Sequence, residues 1–246
     1  MNRLRILRLL GAAPLALCAL ALPVFALQEE EAGHGNKKTW LELFETTGPV
    51  GYLMVGCSVA GTTLVIEHIV NLRRDKLAPQ VLAGDLEALI NEEEYDQAVE
   101  LCDENPCYLA NVVGSALRMR DAGYQEMVAG LEAAANEEAF KLNTKISYLS
   151  LIGNVAPLLG LLGTVTGMIS SFQVIETLKA PTPGDLAKGV YESLVNTTLG
   201  LFIAIVFLTI YFLFKNKVSR MCLSINLQSV DMLRHLAATE KAAPGH

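Results

Sequence analysis

Charge is scarce in this 246-residue chain. Lys, Arg, Asp and Glu make up 18% of it, against about a quarter in an ordinary soluble domain. Acidic residues outnumber basic ones by 26 to 19, and no stretch forms a basic stripe able to replace phosphate counterions, so a nucleic-acid partner is excluded. The five cysteines, Cys18, Cys57, Cys102, Cys107 and Cys222, make no disulfide framework. Cys102 and Cys107 lack the second Cys or His pair that a zinc site needs, and neither a metal nor a cofactor is expected. Histidine is equally sparse: His34, His68, His235 and His246 all lie outside the centres of the apolar runs. A hydrolase built on Ser170 or Ser171 would therefore lack its base, and no Lys follows Gly160 to Gly167 as a phosphate loop requires. The chain reads as a non-enzyme with no catalytic residues. An apolar share of 52% also excludes a disordered or collagen-like chain.

The missing charge is concentrated in four runs: Leu9 to Leu27, Thr46 to Ile66, Ile146 to Ile175 and Ser193 to Phe214. Each of the last three can cross a hydrocarbon layer of about 30 Å as a helix. The first is shorter and different in kind. Arg3, Arg5 and Arg8 precede it, Pro14 and Pro23 interrupt it, and Val24-Phe25-Ala26 ends it with a cleavage-like pattern, so residues 1–26 read as a signal peptide, with an uncleaved anchor as the alternative. The basic clusters Arg73, Arg74, Lys76 and Lys215, Lys217, Arg220 belong on the cytoplasmic side. The expected order is then a periplasmic segment 27–45, span one 46–70, a cytoplasmic helical region 71–145, span two 146–175, a periplasmic loop 176–191, span three 192–214, and a cytoplasmic C-terminal helix and tail 215–246. The fold class is an all-α membrane protein, with three long transmembrane helices extending into a cytoplasmic helical bundle.

Within 71–145 there are 15 acidic and 7 basic residues, and within 215–246 there are 2 and 5, so the two regions carry opposite charge and could pack together. Helical spacing marks Leu86, Leu89 and Ile90, then Tyr95, Ala98, Val99 and Cys102, with Asp85 as the expected N-cap of the first short helix. From Tyr124 no proline intervenes before Pro157, so one helix should run unbroken into span two. Span three should continue likewise through Val218, Cys222, Ile225, Met232 and Leu236.

Spans two and three are not plain hydrocarbon. Gly153, Gly160 and Gly167 recur every seven residues, with Gly163 nearby and Gly200 in span three, which marks close helix packing. Ser193, Asn196, Thr197, Gly200 and Ala204 share a face of span three, and Thr198 adjoins it. Unpaired polar groups cost several kcal/mol in lipid, so Asn196, Thr197 and Thr198 need partners, with Thr164 of span two the natural counterpart. No Asp, Lys, Arg or His lies at the centre of a span, and Glu192 sits at the exported end of span three. Hydroxyls do not titrate near neutral pH, so if this is an ion pathway its central acid must come from a partner subunit.

Ala156-Pro157-Leu158-Leu159-Gly160-Leu161-Leu162-Gly163-Thr164-Val165-Thr166-Gly167-Met168-Ile169, followed by Phe172, resembles the second-span motif of the ExbB/TolQ/MotA proton-channel family. Glu192-Ser193-Leu194, then Asn196-Thr197-Thr198-Leu199-Gly200-Leu201 and Tyr211, resembles its third-span motif, and Glu67-His68 with Leu72-Arg73-Arg74 resembles the end of its first span. The resemblance implies a homopentamer around a dimer of ExbD/TolR-like subunits, each with one membrane Asp, and a TonB/TolA-like protein worked by proton motive force. It makes Thr164 and Thr197 the pore threonines and Glu192 the glutamate near the proton entry, with Asn196 and Thr198 beside them on the ion pathway. It also implies a bacterial inner-membrane protein in contact with lipid, N-terminus periplasmic and C-terminus cytoplasmic. Three spans and a modest cytoplasmic region favour ExbB/TolQ over MotA, and the signal peptide favours an ExbB-like role, with a TolQ-like role or sodium use as alternatives. Two departures from the family pattern stand out: Val206 where many relatives have proline, and Asn196 and Thr198 where some have alanine.

Overall fold

The computed structural model describes residues 48–177 and 183–242, without the side chains of 48, 49, 183, 185, 186, 188, 192 and 235–242. The expected signal peptide, the segment 27–45, residues 178–182 of the expected loop and the last four residues of the tail lie outside that description. Every described element is helical: α1 (Gly48–Asn71), α2 (Arg74–Leu77), α3 (Gln80–Asn91), α4 (Tyr95–Glu104), α5 (Tyr108–Leu117), a 3-10 turn (Arg120–Ala122), α6 (Tyr124–Thr177) and α7 (Pro183–Ala242). Three of these helices, α1, α6 and α7, are long and apolar enough to cross a membrane. Two compact units emerge, one from the described residues up to Leu64 with Leu149–Tyr211, the other from Val65–Tyr148 with Phe212 onward.

In the first unit the packing rule is a small residue opposite a large one. The Phe207 ring fills the space over Gly61, and a Cβ on Gly61 would come within 2.5 Å of it. Leu208 does the same over Gly153. Helix α6 runs on through Pro157, which has no N–H and so leaves the Gly153 carbonyl without its helical donor, a defect that membrane helices tolerate when neighbours compensate.

The second unit has an ordinary core. Leu82, Ala83, Leu86 and Ile90 of α3 are buried at helical spacing, and eight of the ten residues of α5 are buried. Leu131 and Ile146 of α6 and Val218, Ile225 and Leu233 of α7 complete it, all 2% exposed or less. The Tyr108 hydroxyl ties three helices, donating to Asn226 Oδ1 (2.9 Å) with the Ala135 carbonyl (3.3 Å) as second acceptor. Burial pushes the Tyr108 phenol above its usual range, and raises the Cys102 thiol to about 11. His68, 4% exposed at the end of α1, donates from Nε2 to the Lys145 carbonyl (3.1 Å) and meets the Phe214 ring edge to face at 5.8 Å. Between the 3-10 turn and α6 the chain passes through Gly123 at φ 98°, a conformation that a side chain would strain.

Two expected boundaries move. The first short helix begins at Gln80 after Pro79, so Asp85 lies inside α3 rather than at its cap. Helix α7 begins at Pro183, well inside the expected loop 176–191.

Candidate functional site

The polar residues of spans two and three meet along a seam of glycine notches between α6 and α7. Ser193 sits in the notch at Gly167, and Ser171 in the notch at Gly189, so that a Cβ on either glycine would collide with the facing hydroxyl. A Cβ on Gly163 would lie 2.8 Å from Asn196 Nδ2, and its three nearest neighbours would all be Asn196 side-chain atoms. At Gly160 the opposing atoms are backbone, the Asn196 carbonyl and Thr197 Cα, each at 3.1 Å. A Cβ on Gly200 would lie 2.6 Å from the Ala156 carbonyl oxygen, again a backbone atom. The glycine periodicity therefore serves this seam, where helix backbones approach more closely than any side chain would allow.

Most hydroxyls along the seam are satisfied within their own helix. Thr164 donates to the Leu161 carbonyl (2.7 Å), Thr198 to Leu194 (3.0 Å), Ser171 to Gly167 (2.8 Å) and Ser193 to Gly189 (2.7 Å). This back-bonding is how a hydroxyl tolerates lipid without a neighbour, and Thr164 is thus not spent on Thr197. Thr197 reaches across, donating to the Gly160 carbonyl at 3.3 Å. Asn196 is 4% exposed, and its Oδ1 has no hydrogen-bond partner, the one such buried side-chain atom among the described residues.

The sequence-selected residues thus occupy different environments within one protomer. Asn196 is buried against Gly163, Thr164 and Thr197 are half-buried, and Thr198 is exposed. Glu192 lies in α7, but its side chain is outside the described residues. Gly153, Gly160, Gly163, Gly167 and Gly200 all face side chains or backbone of the opposing helix. The two serines, Ser171 and Ser193, belong to the same seam, and their signal was present in the sequence as small polar residues one turn from Gly167 and Gly189. Among the described residues no group of three or more His, Cys, Asp and Glu gathers as a metal site would. Hydroxyls, an amide and backbone carbonyls can solvate a cation or a proton in transit, but they cannot hold the proton near neutral pH.

Comparison with known proteins agrees with this geometry. Residues 107–226, which include the second-span and third-span motifs, match the MotA/TolQ/ExbB proton channel family. A biopolymer transport protein ExbB homolog of Methanothermobacter thermautotrophicus is 28% identical over 184 residues, 70% of this chain and 62% of that protein. The Tol-Pal system protein TolQ of Pseudomonas aeruginosa is 34% identical over 85 residues, 35% of this chain and 37% of that protein. In both cases the match spans less than two thirds of the relative's length. The structure of C. jejuni MotAB is similar in fold, with a TM-score of 0.50 over 90% of this chain and 86% of that one at 14% identity. Over residues 107–226, just under half of its length, the chain is similar to the MotA/TolQ/ExbB family; its described residues form helices, three of them long and apolar enough to cross a membrane, and both ExbB and TolQ are among its relatives.

Proposed function

We propose that this chain is the ExbB-like channel and stator subunit of an inner-membrane motor that turns proton motive force into work on a TonB-like protein, energising outer-membrane import. In this reading five copies surround a dimer of ExbD/TolR-like subunits. The partner's membrane Asp takes a proton from the exported side, loses its charge, and moves past the threonines of the surrounding chains. The observation that carries the reading is a polar seam without an acid: Thr164, Asn196 and Thr197 lie in the spans, yet no Asp, Glu, Lys, Arg or His stands at a span's centre. Moving one charge through about 100 mV is worth roughly 2.3 kcal/mol, and only a titratable group can capture it. The acid must then come from the partner, and Glu192 sits at the exported end as the proton entry.

A TolQ-like role, energising cell-envelope maintenance through a TolA-like protein, shares the mechanism and is favoured by the TolQ relative at 34% identity. Whether the neighbouring gene encodes a TonB-like or a TolA-like protein separates the two outputs. The mechanism itself is tested by Thr197→Val and Glu192→Ala, each expected to abolish energised import with the assembly intact. Normal growth of either variant on a nutrient that requires TonB-dependent uptake would sink the reading.

A further inference from the structure

Four cations gather where the apolar runs end. Arg73 and Arg74 follow the last turn of α1, and Lys217 and Arg220 follow Phe214, the last residue of the charge-free run in α7. The contact of His68 with Phe214 holds these two helix ends together. Among the described residues Arg118, Arg120, Lys141 and Arg234 each pair with a carboxylate, whereas Arg73, Arg74, Lys217 and Arg220 pair with none. Burial and the like charge of Arg73 push the Lys217 ammonium below its usual range, so the cluster is held together at a cost.

The shape around the cluster is that of a site for an amphiphile. Arg74 and Arg220 line an open groove of about 540 Å³. The groove's carboxylates, Glu87 and Asp231, lie outside ion-pair distance of both, and Asp231 already faces Arg234 (3.8 Å). Asp231 also stands eleven residues beyond Arg220, about 16 Å along the helix, so along α7 the basic end of the groove is the one next to the span. Leu213, Lys217, Arg220 and Ser224 repeat at four, three and four, and so share one face of α7. On the span side of the cations Phe212, Leu213, Ile69 and Val70 are all more than 40% exposed. Guanidinium and ammonium groups converging beside an apolar surface match an anionic oxygen cluster joined to hydrocarbon.

We propose that Arg73, Arg74, Lys217 and Arg220 bind the phosphodiester headgroup of an anionic membrane lipid, whose acyl chains lie along the exposed apolar side chains at the adjoining ends of α1 and α7. The site is independent of the ion pathway and of the choice between ExbB-like and TolQ-like roles. Native mass spectrometry of the full-length protein in detergent tests it, with titration by dioleoyl-phosphatidylglycerol, dioleoyl-phosphatidylcholine and inorganic phosphate. The phosphatidylglycerol adduct should form about tenfold more tightly than the phosphatidylcholine adduct, and R73Q/K217Q should lose about that factor. The charge-matched variant R118Q/K141Q, altered at cations paired with carboxylates outside the groove, should bind within about twofold of the parent. Equal binding of the two lipids, an unaffected R73Q/K217Q, or an equal loss in R118Q/K141Q would overturn the assignment. Binding of inorganic phosphate as tight as that of phosphatidylglycerol would overturn it in favour of a soluble anion. The comparison of the three ligands on the unaltered protein decides the matter even if R73Q/K217Q does not fold.

Discussion

Asn196 is the residue at which this chain departs most from an apolar helix. Its carboxamide is buried between α6 and α7, one oxygen has no donor, and the amide fills the space that Gly163 leaves. The three nearest neighbours of a Cβ at Gly163 are Asn196 side-chain atoms, which makes the pair separable from the rest of the seam. Gly163→Ala should therefore cost about 1–3 kcal/mol by overpacking. Adding Asn196→Ala should recover more than half of that cost, because the obstructing side chain is gone. Gly160→Ala is the internal control: its neighbours are backbone, so Asn196→Ala should not rescue it. Thermal unfolding of the five variants, the three singles including Asn196→Ala and the two doubles, in one detergent gives the coupling directly. A Gly163→Ala protein that melts like its parent would show that the notch is wider than described.

At the scale of elements, the Tyr108 hydroxyl joins α5 to α6 and α7 from a buried position. Tyr108→Phe keeps the ring and removes the donor, which should lower stability by about 1–3 kcal/mol, since Asn226 Oδ1 loses its partner. A melting temperature within error of the parent would mean that water replaces the hydroxyl at no cost. That link between helices could not be read from the sequence, because Tyr108 and Asn226 are 118 positions apart and each suits a helix surface. The lengths of α6 and α7 were legible, since an unbroken periodicity from Tyr124 and from Val218 leaves a helix no place to stop. The starts of α3 and α7 were not. Asp85 resembles an N-cap, but Pro79 presets the turn six residues earlier. Pro183, whose fixed φ suits a first helical turn, could have located the start of α7. The glycine spacing points to close packing, while its pairing with Ser171, Ser193 and Asn196 required the helix rotation, which spacing alone leaves free.

At the scale of the whole molecule, the scarcity of charge becomes a statement about what the chain can do by itself. The hydroxyls of Thr164 and Thr198 are tied to their own helices, Thr197 is tied to Gly160, and no acid stands among them. A path of this kind can pass a proton along only when something else binds and releases it. The purified chain reconstituted alone into vesicles, under an imposed potential of about 100 mV, should therefore show proton flux at the background of empty vesicles. Under the proposed function, co-reconstitution with an ExbD/TolR-like subunit should raise the flux, and replacing that subunit's expected membrane Asp by Asn should return it to background while the native mass of the complex is unchanged. Thr197→Val in this chain should lower the partner-dependent flux about tenfold, the equivalent of one hydrogen bond of about 1.4 kcal/mol. Flux through the chain alone would mean that the seam contains its own proton carrier, and would move Glu192 from the entry to the centre of the mechanism.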